Sequence, residues 1–357
     1  MRLLIAICVL ACAATCFAQT DLPLSEFQFR EYCDLLHLET DSRTSAADLY
    51  SGYVTGFRSA GAEFEALSNE KRIGRPTEDE RKQRMSRSEK AGEARRLLDR
   101  GLVADLHVLS RDPDGTLGKQ AEAALNRHRV LCEFGDRAGR YDVIEACYRL
   151  GLSDWPTSSA LFASYSSELE KLLAQMESLS ARCEAALKGQ GPRDPMPPGF
   201  IVVAKEIENV KARISKVHRS YLNQIQQQLP APKARELLHD YFHSAATKYS
   251  PAAAEIAHAA ALADPSLKES DRESLKALYE RFIREDDVLA DAWVNATIDR
   301  SRATTNAVLD GVMVNQVDST RLNESRAALR QHRSAWAKKL RELGIAVPDD
   351  GSSERPK

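Results

Sequence analysis

The sequence predicts an all-α protein: an extended bundle of long amphipathic helices and helical hairpins, with three weakly repeated helix-turn-helix units. Composition is the first reason. Long stretches are filled by Ala, Leu, Glu, Arg and Lys, while aromatic residues make up 6% of the 357 residues, and those common residues are the stronger helix formers. Periodicity is the second, because apolar residues recur three and four apart along most segments, which places them on one helical face. The third is an internal pattern of Leu, ten residues, then Leu-(Tyr/Phe)-x-x-(Tyr/Phe). It occurs at Leu38 with Leu49, Tyr50 and Tyr53, at Leu150 with Leu161, Phe162 and Tyr165, and at Leu267 with Leu278, Tyr279 and Phe282. These starts lie much further apart than the ~20–50 residues of a tight solenoid, so each copy is a larger unit.

The N-terminus has the form of an export signal. Arg2 precedes the apolar run Leu3–Leu10, and Cys16-Phe17-Ala18 puts small residues at the positions before a cut at Gln19. A signal over residues 1–18 predicts a periplasmic or secreted protein. Cys12, after Val9-Leu10-Ala11, could carry a lipid anchor, but the apolar stretch before it is only about eight residues, so cleavage is preferred. No later run approaches the ~20 apolar residues of a membrane span. The charge is nearly balanced, with 50 basic and 52 acidic residues. This excludes a nucleic-acid binder driven by net charge.

Four cysteines follow the signal: Cys33, Cys132, Cys147 and Cys183. An even number in an exported chain predicts at least one disulfide, locally Cys132–Cys147 and at long range Cys33–Cys183. Four reduced cysteines acting as small buried hydrophobes are the alternative.

Residues 24–188 read as an N-terminal helical region holding two of the units. Ser25 and Gln28 form a capping box for the first helix, which carries Phe29, Tyr32, Leu35 and Leu36. The next helix bears Tyr50 and Tyr53 and runs to about residue 67. Its glycines, Gly52, Gly56 and Gly61, each cost roughly 1 kcal/mol relative to alanine unless another helix approaches there. Thr77 with Glu80 caps a long helix whose first half is almost all charge, from Arg81, Lys82 and Arg84 through Glu93, Arg95 and Arg96. That half is a solvated face or a site for acidic partners. Leu97, Leu98, Leu102, Leu106 and Leu109 then form an apolar stripe. Asp112-Pro113-Asp114-Gly115 is a turn, since its glycine falls too early for a calcium loop. A helix over 121–134 follows, and a second unit opens at Tyr141 and stays helical to about Leu187.

Residues 189–199 contain seven glycines and prolines and read as a hinge, so an antiparallel hairpin with arms of roughly 40 Å is expected around it. The C-terminal helical region, 200–345, has the three-four spacing of coiled-coil packing in its first helix. It continues through helices over 234–248 and 252–262 to the third unit. There Ser270 with Glu273 gives the strongest start signal in the chain. The helix is interrupted at 311–318, and the last helix closes on Gly344 as its C′ residue before a disordered tail, 346–357.

Candidate chemistry is sparse. His239 and His243 have metal-ligand spacing, with Glu236 one turn earlier and Glu255 further on, but a zinc site needs a third firm ligand and there is no His-Glu-x-x-His. No metal and no cofactor is therefore expected. No phosphate loop or nucleophile elbow is present. Asn295-Ala-Thr297 and Asn323-Glu-Ser325 match glycosylation acceptors, informative only in a eukaryotic exporter.

The helix starts Leu267-Lys268-Glu269-Ser270-Asp271 and Leu38-Glu39-Thr40-Asp41-Ser42 resemble the Leu-Thr-x-x-Gln motif of small periplasmic stress chaperones, with the Thr and Gln replaced in both. The resemblance implies a cradle-shaped helical dimer that holds unfolded clients without ATP. The residues themselves favour a non-enzymatic structural or interaction protein, its partner another protein or a second copy. The aromatics Tyr50, Tyr53, Phe162, Tyr165, Tyr279 and Phe282 are either the core seam of each unit or an exposed binding face.

Overall fold

The computed structural model describes residues 22–69, 77–112, 114–132, 138–153, 158–187, 197–246, 249–250, 252–265 and 267–347. Among these there are eleven α-helices, one 3-10 turn and no strand, so the chain is all-α. Residues 1–18, expected as a signal and including Cys12, the expected linker before Thr77, most of the 189–199 segment and most of 346–357 lie outside the described residues.

The helices are α1 (Glu26–Leu35), α2 (Thr40–Asn69), α3 (Glu78–Val108), α4 (Thr116–Cys132), α5 (Val143–Arg149), α6 (Ser158–Leu187), α7 (Pro198–Gln226), α8 (Ala231–Ala245), α9 (Ala253–Leu262), α10 (Glu269–Leu309) and α11 (Thr320–Glu342). A short helix followed by two long ones recurs three times: α1–α3, α5–α7 and α9–α11. The described residues form two compact units, one up to Leu237 and the other from Leu238.

Each pair of long helices is antiparallel. In the first unit Gly61 and Phe57 of α2 meet Arg95 of α3, while Tyr53 meets Asp99. Likewise Arg182 of α6 reaches Glu206 of α7, and Gln175 accepts from Arg213. In the second unit Asp299 of α10 pairs with Arg321 of α11, Asp286 with Arg333, and Phe282 packs on Trp336. At a rise of 1.5 Å per residue, α6 and α7 are each about 45 Å long.

Local signals explain most ends. The capping boxes Ser25/Gln28 and Thr77/Glu80 both form. Gly344 has φ +79°, its amide bonds to Arg341, and Ile345 bonds to Leu340. That is the Schellman closure a glycine permits. Gly311 (φ +72°) ends α10 in the same way. Ser270 is different. α10 begins two residues earlier than its capping signal, with Lys268 rather than Ser270 as N-cap and no side-chain cap, because the Lys268 carbonyl accepts from Asp271 and Arg272. Pro232 lies inside the first turn of α8, where its missing N–H would have no helical partner anyway.

The first hydrophobic core joins α1 to α4 through Tyr32, Cys33, Leu36, Leu38, Phe57, Leu102 and Leu106. A second core, around Phe282, Trp336, Leu340 and Leu275, joins α9, α10 and α11. The leucines that follow α1 and α5 are placed differently. Leu38 is buried just after α1, but after α5 it is Leu152 that is buried while Leu150 is half-buried. Gly151 (φ +64°) allows the turn after α5, and the same place after α1 holds His37 at φ +50°.

Candidate functional site

The densest collection of chemical groups is buried where α1, α4, α5, α6 and α7 come together. α4 contributes two adjacent side chains, Arg127 and His128, and α1 contributes Glu31 and Tyr32. Asp142 stands at the N-cap of α5 with its Oδ1 accepting from the amides of Ile144 (2.9 Å) and Glu145 (3.4 Å). Because Asp142 also caps a helix, its carboxylate is fixed before it meets α4. Arg127 donates from Nε to Asp142 Oδ2 (2.8 Å), from Nη1 to Ser166 of α6 (3.1 Å), and from Nη2 to Glu31. Nε2 of His128 lies 3.1 Å from Glu31 Oε2, 3.4 Å from Asp142 Oδ2 and 3.1 Å from Arg127 Nη2, and Nδ1 is 2.9 Å from the Tyr32 hydroxyl.

All four charged groups are buried, with exposures of 2 to 6%. Burial alone would strip charge from them, so their pairing decides their state. For His128 burial favours the neutral ring, but Glu31 and Asp142 override it and raise its proton affinity above the ordinary imidazole value. Burial likewise opposes ionised Asp142, yet Arg127 and His128 hold it far below the usual carboxylate range. Arg127 is held still more firmly protonated by Asp142 and Glu31. The quartet therefore carries two positive and two negative charges.

Hydrogen bonds extend outward from it. The Tyr165 hydroxyl lies 2.9 Å from Nδ1 of His218 on α7, whose Nε2 is 3.1 Å from the Gly139 carbonyl. A carbonyl only accepts, so Nε2 carries a hydrogen. Glu145 accepts from Gln28 (3.0 Å) and Ser25 (3.3 Å) of α1. Burial and nearby Asp142 push its carboxyl up. A neighbouring group is built from Tyr53, whose hydroxyl donates to Asp99 (2.7 Å) and accepts from the Leu24 amide (2.8 Å), with Arg129 paired to the same carboxylate. The guanidinium groups of Arg95 and Arg129 lie 5.0 and 5.6 Å from the centre of the Phe57 ring.

The second unit has its own buried pair. Arg333 of α11 grips Asp286 of α10 with two bonds of 2.8 and 2.9 Å, donates to the Ser250 carbonyl (2.8 Å), and lies over the Tyr249 ring. His239 is 3.0 Å from Asp287, and His243 is 3.4 Å from the Tyr249 carbonyl. Glu236 pairs with Lys233 at 2.8 Å. His239, His243 and Glu236 thus have separate partners, and no group of three or more His, Cys, Asp or Glu side chains that could hold a metal ion occurs among the described residues.

Tyr53, Tyr165 and Phe282 are buried, and Tyr50, Phe162 and Tyr279 are half-buried. Tyr50 stacks on Phe29 and donates to the Leu24 carbonyl, Phe162 packs near Tyr148, and Tyr279 meets His258 edge-on. Of the cysteines, Cys33 is a free thiol buried in the first core, so the expected Cys33–Cys183 bridge is not formed. The reason is local: the face of α1 that carries Cys33 packs against α2, α3 and α4, while Cys183 lies toward the far end of α6. No disulfide occurs among the described residues, and the Cys132 side chain falls outside them. No described helix is long and apolar enough to cross a membrane.

The quartet escaped the sequence reading. Its one local signal is Asp142 directly before Val143, an N-cap position. Nothing in the sequence links it to Glu31 or to the adjacent Arg127 and His128. No family model, curated protein or solved structure matches this all-α chain.

Proposed function

We propose that the protein is a non-enzymatic structural or interaction protein of the cell envelope or secreted space. The observation that carries this reading is how its interior charges are used. Glu31, Arg127, His128 and Asp142 neutralise one another across helix junctions, and Asp286 is gripped by Arg333 in the same manner. A catalytic centre needs such groups aimed at a place a substrate can occupy. Here they fasten helices, which leaves long rigid surfaces as what the molecule presents. Export rests on the N-terminal signal.

The test is photo-crosslinking in the native host, with a photoreactive residue placed singly at the exposed apolar positions Val202, Val288 and Met313. A discrete adduct that recurs at one position and survives stringent washing supports an interaction role. Failure at every position, with the protein folded and present, rejects it. The client-binding alternative is separated by a thermal aggregation assay. Protection by wild type that is lost in folded Tyr279→Ala would favour it. No protection is expected, because the deepest seam aromatics are packed away.

A further inference from the structure

We propose that the Glu31–Arg127–His128–Asp142 quartet is a proton-operated latch on α1: with His128 protonated it clamps α1 to α4 and α5, and loss of that proton releases α1. The geometry carries this. Both carboxylates lie within ion-pair distance of the one imidazole nitrogen, and all partners are buried. With the proton present, charge balances at two against two. Without it, Glu31 and Asp142 share Arg127 alone, and one negative charge is left inside the protein. An unbalanced buried charge is strongly unfavourable. The structure's simplest relief is to withdraw Glu31, and with it α1.

The groups around His128 do not restore the balance. From α1 come Glu31 and the Tyr32 hydroxyl, and burial pushes that phenol well above its ordinary value, so it stays neutral. α4 supplies Arg127. Glu145 of α5 is occupied by Ser25 and Gln28, and Arg149 is 3.9 Å from it. From α6 come Ser166 and Tyr165, whose phenol is also pushed up by burial. His218 of α7 is bonded to Tyr165 and Gly139. Asp99 and Arg129, which act on Tyr32 from further away, form a pair of their own.

α1 is suited to being released separately. It has ten residues, too few to remain helical alone. Its polar ties to α5 are Gln28 and Ser25 to Glu145, and Asp34 to Tyr148 (2.9 Å), while Tyr32, Cys33 and Leu36 seat it in the first core. It also carries a built-in reporter, Cys33, which is 2% exposed and whose thiol burial pushes up to about 11.

The direction in pH follows from linkage. His128 binds its proton more tightly in the folded protein than in an unfolded chain, where the value is about 6.5. The latch is therefore complete below about pH 6.5 and is lost as pH rises through the folded value, α1 opening up to about tenfold more per pH unit between the two.

The experiment is hydrogen exchange on the full mature chain from pH 6 to 9.5, corrected for intrinsic exchange, comparing peptides from 24–38 with peptides from α6 and α7. Cys33 alkylation located by mass spectrometry runs in parallel. Protection of α1 should be flat at the acid end and then fall by up to about tenfold per pH unit, while α6 and α7 hold. Glu31→Gln should remove that slope, because neutral His128 then leaves Arg127 balanced against Asp142. His128→Gln should give low α1 protection at every pH. A wild-type profile without the slope overturns the latch, as does an equal slope in Glu31→Gln or a parallel loss in α6 and α7. Should His128→Gln not fold, the wild-type and Glu31→Gln profiles decide alone.

Discussion

Removing Arg333 offers the sharpest test of how buried charge holds these hairpins together. Asp286 is fully buried, with two hydrogen bonds from Arg333, and the same guanidinium satisfies the Ser250 carbonyl. Arg333→Met keeps the aliphatic stem over Tyr249 but leaves an unpaired carboxylate between α10 and α11. Breaking one half of a buried pair costs about 3–5 kcal/mol, which for a unit of this size lowers Tm by roughly 10–20 °C. Asp286→Leu should cost a similar amount, by stranding the guanidinium. The double variant should recover much of the loss, with a coupling of at least about 2 kcal/mol, since it leaves neither charge behind. Trp293 and Trp336 both lie in this unit, Trp336 against Phe282 and Trp293 beside Tyr249. Tryptophan fluorescence in a Trp155→Phe background therefore follows its urea unfolding separately from the first unit. A single-variant cost below about 1 kcal/mol, or strictly additive losses in the double variant, would refute the reasoning.

Gly61→Ala forces the Arg95 guanidinium to swing off Phe57, but as the end of a flexible side chain it can move, so the net change in urea melts should stay within about 1 kcal/mol. Gly52→Ala meets nothing within 4 Å and should stabilise α2 by up to about 1 kcal/mol. His37→Gly should raise stability by about 1 kcal/mol, or Tm by roughly 2–4 °C, by relieving the positive φ that a side chain disfavours. At the acid end Asp142 is held below its ordinary value, so its contribution is present above about pH 3.9 and is lost as pH falls. The stability gap between wild type and Asp142→Asn should therefore shrink below about pH 4 in paired acid melts. Cys33 should resist alkylation in native protein at neutral pH and react on unfolding. Modification there at the rate of an exposed thiol would contradict its burial.

The fold class was legible because it depends on local quantities. Helix propensity, three-four spacing and caps such as Ser25/Gln28 act within a few residues, and each is written in the chain at the place where it operates. Ser270 shows the limit of what local signals decide: a good capping sequence lost to a backbone start two residues earlier, fixed by the Lys268 carbonyl. Of the six pattern aromatics Tyr53, Tyr165 and Phe282 are buried, but what each ring touches was not legible. Tyr53 meets Asp99, Tyr165 meets His218, and Phe282 lies 5.3 Å from His332. Each partner is about fifty residues away on the returning arm, at a distance set by loop and register rather than by any motif.

That same register explains why polar groups sit in these seams at all. Two long helices lined with Ala and Leu can slide by a turn and still bury similar apolar area, so hydrophobic packing alone specifies the alignment weakly. A buried polar contact does not tolerate the slip. A one-turn shift of α11 along α10 moves Arg333 by about 5 Å, leaving Asp286 unpaired in the interior. In the first unit the same logic holds across α1, α4 and α5, where Glu31 and Asp142 must both find Arg127 and His128. Charge is costly to bury, and here its cost falls mainly on the wrong alignments. The side chains that sequence reading would assign to solvent are thus the ones that select a single register, and at His128 the same balance makes that selection depend on one proton.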